Sequence, residues 1–290
     1  MLSFFTIPKP FADHIGMIQR NALGSWSRIE PTPEIFVFGD ELGADAAAAA
    51  VGAQHFPALS RNEYGTPFLG DVFERAQAAA SRSFMCYANA DIVFLEDLVP
   101  AVTAVARDHE RFLLAARRWN IDQTAPLEFV DGWRKTLRGR LPLEAQLQDG
   151  WWVDYFVFPR GLWPKMPAFL VGRPAWDNWL VYDARRRGIP VIDATEAIAV
   201  VHQRHDYAHV PRSIGDYWRG PEADYNLQLA GGRLCTYSLA DASHRVTPSG
   251  VRRNVNLQPL RRTLDRWQAA GGVRTTIASG LRRLARLRGA

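Results

Sequence analysis

The sequence predicts an α/β domain with a mostly parallel central sheet, helices on both of its faces and a helical extension at the C-terminal end. Three observations predict it. Short apolar runs alternate along the chain with amphipathic stretches, and parallel strands require such crossover connections. With 290 residues, 47% of them hydrophobic, the chain can bury the core that a two-sided sheet needs. Polar residues also gather just beyond the apolar runs, where sheets of this class bind ligands. Residues 1–210 are expected to form the main domain, 211–258 an irregular extension, and 259–290 a basic amphipathic helical tail.

Leu2 to Thr6 reads as a buried strand stopped by Pro8 and Pro10, and Ile15, Ile18, Ala22 and Trp26 then recur at helical spacing. Glu34 to Phe38 is a second strand ending at Gly39-Asp40-Glu41, and the alanine run from Ala44 to Ala50 is a strong helix former. Gln54-His55-Phe56 is a weak third strand. After the loop from Arg61 to Pro67, Phe68 to Ala80 places Leu69, Val72, Phe73 and Ala76 on one helical face. Phe84 to Ala88 is a fourth strand. Arg111 to Ala116 and Asp154 to Phe158 are further strands, and Trp176 to Arg187 is a helix closed by Gly188. Ile189 to Ile192 and Ala197 to Val201 are late strands, while residues 120–150 read as a polar, irregular loop.

The composition narrows the function classes. Cys86 and Cys235 lie in unrelated contexts, so neither a disulfide framework nor a cysteine-based zinc site is expected, and a reducing cytoplasm fits best. The apolar opening is too short for a signal peptide, and no run approaches the roughly 18 apolar residues of a membrane span. The net charge of +5 is unevenly held: residues 251–290 contain ten arginines against Asp265 alone, leaving residues 1–250 at −4. A body without an arginine- and aromatic-rich face argues against a nucleic-acid partner. With three lysines and no Gly-X-X-X-X-Gly-Lys-Ser/Thr, the chain lacks a phosphate-binding loop.

The polar residues beyond the strands are Lys9, Asp40, Arg61 with Asn62, and Asn89 with Asp91. On an extended chain Asn89 and Asp91 face the same way, and a carboxylate there suits Mg2+ or Mn2+, which take oxygen ligands and leave positions for phosphates. An Asx turn closing the strand would produce the same residues. The segment Tyr87-Ala88-Asn89-Ala90-Asp91 resembles the Asp-X-Asp motif of glycosyltransferases with the A-type fold, Asn89 replacing the first aspartate. Phe5-Thr6-Ile7-Pro8-Lys9 and Phe36-Val37-Phe38-Gly39-Asp40 resemble the nucleotide-binding half of the same enzymes. The likeness spans roughly residues 2–210 and implies a single Rossmann-like domain of that fold. It implies that Thr6, Pro8 and Asp40 approach the base or ribose of a nucleotide-diphosphate sugar, and that Arg61, Asn62 and Gly65 line the same pocket. Lys9, Asn89 and Asp91 complete the donor set, with Asp91 as the main cation ligand.

Gly172-Arg173-Pro174-Ala175-Trp176-Asp177 places an acid in the first turn of a helix, where the helix dipole favours an ionised carboxylate, as a general base requires. It resembles the acidic acceptor motif of inverting members of the family, which makes Asp177 the candidate base; a plain capping role fits the same position. Trp176, beside Trp179, offers a face on which a saccharide can stack. Asp154 and Asn178 are the other candidates for acceptor or sugar contact. His202, after the last core strand, matches the histidine that completes the metal shell in the family. The spacing of His202, His205 and His209 also admits a zinc site, with a structural role the default for the latter two.

The resulting expectation is metal-assisted transfer of a sugar from a nucleotide-diphosphate donor to a saccharide or lipid-linked acceptor, with inversion. The rivals are a non-catalytic nucleotide- or carbohydrate-binding module of the same fold and a sugar-nucleotide pyrophosphorylase, although the glycine-rich opening loop usual in the latter is missing. In the tail, Ile277, Leu281, Leu284 and Leu287 form an apolar stripe beside arginines. Such a helix packs on the domain or touches an anionic membrane surface.

Overall fold

The computed structural model describes residues 1–205, 218–247, 249–271, 275, 278 and 279. The chain opens with β1 (Leu2–Thr6), α1 (Asp13–Trp26), β2 (Glu34–Phe38), α2 (Ala44–Ala50), β3 (Gln54–Phe56) and α3 (Leu69–Ala79). It continues through β4 (Phe84–Ala88), β5 (Ile92–Phe94), α4 (Leu98–Asp108), β6 (Leu113–Ala115) and β7 (Arg118–Ile121). Next come α5 (Trp133–Glu144), β8 (Gln146–Leu147), β9 (Tyr155–Pro159), α6 (Trp176–Arg186), β10 (Val191–Asp193) and β11 (Val200–Gln203). Last are α7 (Pro221–Leu229), β12 (His244–Thr247), β13 (Gly250–Arg253) and α8 (Gln258–Ala270).

Nine strands form the main sheet in the order β13-β12-β10-β6-β9-β4-β1-β2-β3. It is mostly parallel: β1 pairs in parallel with β2 and β4, β2 with β3, and β10 with β6 and β12. The exception inside the sheet is β9, antiparallel to both β4 and β6. Strands covered on both faces are apolar at nearly every position, with successive side chains entering opposite cores. Phe4, Val37, Cys86, Ala88, Tyr155 and Val157 pack on one side. Phe5, Phe36, Phe38, Met85, Tyr87, Phe156 and Phe158 pack on the other.

A second, four-stranded sheet, β5-β11-β7-β8, lies beyond the carboxyl end of β4. The expectation of an irregular loop over 120–150 is corrected here. The segment holds α5, whose Trp133, Leu137 and Leu141 recur every four residues and pack with Val93, Ile121 and Val201 behind the small sheet. Dense charge around that stripe, together with Gly139 and Pro142, masks the periodicity. Within 211–258, expected to be irregular, the chain forms α7 and the hairpin β12–β13, which extends the main sheet beyond β10.

Only part of the tail is described. α8 buries Leu264, whereas Ile277, Leu281, Leu284 and Leu287 lie outside the described residues. Among the described residues no helix is long and apolar enough to cross a membrane.

Candidate active site

A cleft of about 450 Å³ opens at the carboxyl ends of β1 and β4. Pro8 and Lys9 approach from beyond β1, Arg61 and Gly65 from beyond β3, and Asn89 and Asp91 from beyond β4. Arg118, Asp154, Arg173, His202 and His205 close the other walls.

Strand pairing explains why residues so distant in the chain meet. In the antiparallel pair β5–β11, His202 lies opposite Ile92, so Asp91 falls beside the residues that follow His202. The amide of Gln203 accordingly donates to the Asp91 carbonyl at 3.3 Å. His205 Nε2 lies 2.9 Å from Asp91 Oδ2, and His202 Nε2 lies 3.7 Å from the same oxygen. One ligand atom from each of Asp91, His202 and His205 lies within 4.8 Å of the other two. His205 therefore leaves the structural role expected for it and joins the cluster, while His209 lies outside the described residues.

The protonation states suit a cation. Burial drives the His202 pKa down to about 4, so its imidazole is neutral near neutral pH. Burial alone would raise the Asp91 carboxyl, but the two histidines and Lys9 outweigh it and hold the group well below the usual carboxylate range. Asp91 Oδ1 and His202 Nδ1 are buried without a hydrogen-bond partner, which is costly unless something else engages them. A carboxylate with two imidazoles is a donor set that can hold a divalent cation. Imidazole suits Mn2+ better than Mg2+, which prefers oxygen.

The structure shows what occupies Asn89. Asn89 and Asp91 flank a turn, the amide of Ile92 donating to the Asn89 carbonyl at 3.1 Å, so the segment between them is not the extended chain expected, although both line the cleft. Asn89 Nδ2 donates to Asp154 Oδ1 at 2.9 Å, and Asn89 Oδ1 accepts from the Tyr87 hydroxyl at 3.1 Å. An aspartate here would press one carboxylate against another. Asp154, just before β9, also pairs with Arg118, and both side chains are largely buried. Arg118 stacks over Trp152 with 5.2 Å from its guanidinium carbon to the ring centroid.

Asp177 stands at the first turn of α6, after Ala175, a non-glycine residue at φ +84° in the left-handed region. Its charge is felt in the cleft. Burial first, then the carboxylates of Asp91, Asp154 and Asp177, push the Tyr87 hydroxyl far above its usual pKa, although Asp177, unlike Asp91 and Asp154, is not among the residues that line the cleft. The expectation that the helix dipole keeps Asp177 fully ionised needs correction. Burial, aided by Asp154, raises its pKa to about 7 against the opposing pull of the Asn178 amide and Arg118.

Other expected residues take different places. Thr6 is fully buried behind the cleft wall, its hydroxyl without a partner. Asp40 points to solvent, 71% exposed, and pairs with Arg61 at 2.6 Å. Arg61 also donates to the Gly65 carbonyl at 2.9 Å, where Gly65 turns the loop at φ +80°. Asn62 holds that loop with its side-chain oxygen, which accepts from the Tyr64 and Thr66 amides. Trp176, 6% exposed, meets Tyr87 and Phe156 edge-on within the core instead of presenting a stacking face. Asn178 donates to the Tyr237 carbonyl at 2.8 Å, tying α6 to a neighbouring loop.

The sequence offered no motif for Arg118, for Tyr87 as the meeting point of three acids, or for Glu222. Glu222, only 2% exposed, accepts from Asn62 Nδ2 at 2.7 Å and from Arg173 Nε and Nη2 at 2.8 and 2.6 Å. It clamps together two loops on either side of the cleft. His205 alone was signalled, by its three-residue spacing from His202.

No protein-family model and no curated protein matches this sequence. Among solved structures, the chain is similar to glucosyl-3-phosphoglycerate synthase from Mycobacterium tuberculosis in complex with Mg2+ and uridine diphosphate. That match has 14% identity, covers 88% of this chain and 87% of that one, and has a TM-score of 0.45. The same synthase in complex with phosphoglyceric acid matches at 16% identity over 83% of this chain and 80% of that one, with a TM-score of 0.45. TarS from S. aureus matches at 14% identity with a TM-score of 0.33, over 43% of this chain and only 22% of the TarS chain. With every one of these TM-scores below 0.5, the activities of those proteins remain theirs.

Proposed function

We propose that this chain is a glycosyltransferase, moving a sugar from a nucleotide-diphosphate donor to an acceptor hydroxyl. One observation carries the reading: Asp91, His202 and His205 form a cation-competent cluster at the carboxyl ends of parallel strands, in a cleft that Asp154 also lines, with Asp177 behind Tyr87 and close enough to act on its hydroxyl. A divalent cation held by Asp91, His202 and His205 would neutralise charge developing on a leaving diphosphate. Pro8, Lys9, Arg61 and Gly65 suit the nucleotide end of the donor, since they line the cleft on the side of β1 and β3.

Asp177 takes the role of base. A carboxyl with a pKa of about 7 is matched to proton abstraction near neutral pH. It accepts the hydroxyl proton as the acceptor oxygen bonds to the anomeric carbon; the bond from that carbon to the diphosphate oxygen breaks, and the configuration inverts. Asp154, held by Arg118 and Asn89 at the cleft wall, would accept a hydrogen bond from a sugar hydroxyl in this reading. A saccharide or lipid-linked molecule is the acceptor class in this reading, and the reaction is cytoplasmic, with peripheral membrane contact through the tail in the lipid-linked case.

The test measures release of nucleoside diphosphate from a panel of sugar nucleotides with Mn2+, and nucleotide binding by calorimetry. Asp177→Asn should abolish transfer while binding survives. Binding without turnover in the unaltered protein would replace the enzyme reading with that of a binding module, and full activity in Asp177→Asn would remove Asp177 as base.

A further inference from the structure

Away from the cleft, a groove of about 370 Å³ runs between the C-terminal half of α6 and α8. Its walls carry Arg185, Arg186, Arg262 and Arg266, together with Tyr182 and Tyr237. Arg185 also lines an adjoining groove with Arg253 and His244. Arg185 lies eight residues beyond Asp177 on α6, about 12 Å along the helix axis, and none of these four arginines lines the cleft at Asp91.

The groove is built, not merely charged. Arg262 makes two hydrogen bonds, 2.8 and 2.6 Å, to the buried carboxylate of Asp241, and its guanidinium carbon sits 4.2 Å from the Tyr237 ring centroid. Arg266 Nη2 donates to the Tyr237 hydroxyl at 2.7 Å. These contacts fix two planar donors in one orientation, so little side-chain entropy remains to be lost on binding. The acid that lines the groove, Asp241, is already engaged by Arg262, and Arg186 pairs with Asp183 outside the groove wall, while Arg185 and Arg266 form no ion pair among the described residues. An uncompensated cationic excess facing a concave, aromatic-walled space favours an anion with several acceptor oxygens.

We propose that this groove binds a phosphoryl group, with Arg185 and Arg266 as its principal charge donors and Arg262 and Tyr237 as the fixed frame. The ligand is a soluble phosphate ester or the headgroup of an anionic lipid. The site goes beyond the donor cleft and stands or falls independently of glycosyl transfer.

The full chain is tested in EDTA, which keeps the Asp91 cluster free of cation. Two probes are used: inorganic pyrophosphate in a thermal-shift titration, and co-sedimentation with phosphatidylcholine vesicles with or without phosphatidic acid. The variants are Arg185→Gln with Arg266→Gln, the same pair changed to Lys, and Arg261→Ala on α8 outside the groove wall. The expected result is that at least one probe binds the unaltered chain, that the Gln pair weakens it by at least about tenfold, and that the Lys pair and Arg261→Ala retain most of it. Loss of the pyrophosphate response assigns a soluble ligand, and loss of vesicle binding assigns a headgroup. Should the Gln pair melt early, Arg185→Gln alone, which leaves the Arg266–Tyr237 hydrogen bond in place, decides: binding weaker than that of Arg261→Ala supports the proposal, and equal binding overturns it. Absence of binding by both probes, or equal binding by the Gln pair and the unaltered chain, overturns the proposal.

Discussion

Replacing Asp177 by Asn should make the protein more stable while removing its activity. The Asp177 side-chain oxygen accepts from the Asn178 amide at 2.9 Å, a bond that an asparagine oxygen preserves. What the substitution removes is a desolvated charge. The pKa of about 7 in the fold, against an ordinary 3.8, corresponds to about 4 kcal/mol for a wholly buried group. Because Asp177 keeps some contact with solvent, about 2 kcal/mol is the realistic share. The sign follows from proton linkage. A carboxyl whose pKa is raised by folding favours the fold while protonated, below about pH 4, and that contribution is lost as pH climbs through 7. The stability gap between Asp177→Asn and the unaltered chain should therefore be small at pH 4.5 and largest at about pH 8. At roughly 0.6 kcal/mol per kelvin of unfolding entropy for 290 residues, 2 kcal/mol is about 3 °C in melting temperature. Differential scanning calorimetry at the two pH values measures it. An Asn variant that melts no higher at pH 8, or by an equal margin at both, would refute the placement of Asp177 in a desolvated pocket.

Transfer, measured as kcat/KM between pH 5.5 and 8.5, should rise through an apparent pKa near 7 as Asp177 loses its proton, and a flat profile would exclude Asp177 as the titrating base. His202→Ala and His205→Ala should each weaken Mn2+ binding, read by calorimetry, at least about tenfold; an unchanged affinity for His205→Ala would return that residue to a structural role. Asn89→Asp should lower the melting temperature more at pH 8 than at pH 5, because the new carboxylate faces Asp154, with a cost of about 1–3 kcal/mol at the higher pH. Glu222→Gln should cost about 3 kcal/mol of unfolding free energy in denaturant titrations, since it leaves the buried Arg173 guanidinium without its counter-charge.

The first half of the fold was legible because its local signals agree. The strands ending at Thr6, Phe38 and Ala88 are mostly apolar and almost wholly buried, and the intervening helices carry apolar stripes. The antiparallel insertion of β9 was not legible, because a strand buried on both faces has the same composition whichever way it runs. Trp176 was misjudged for a related reason: a tryptophan beside a polar residue looks alike whether it faces a ligand or, as here, packs edge-on to Tyr87. Asp91 and His202 could be named from their positions after strands, but Arg118 could not. It reaches the site only through the parallel pairing of β7 with β11, a contact between segments about 80 residues apart that leaves no local trace.

The small sheet of β5, β11, β7 and β8 makes the cluster of Asp91, His202 and His205 a reporter of strand alignment. Asp91 and His202 are neighbours only because Ile92 lies opposite His202, and sliding β11 by a single position would turn the imidazole to the reverse face. Arg118, paired with Val200 on the other flank of β11, would lose its alignment in the same slip. If the cluster takes Mn2+ as proposed, cation capture and correct threading of this sheet are one event, so a chain folded in the wrong alignment would bind no Mn2+, and Mn2+ added during refolding would select the aligned form by mass action.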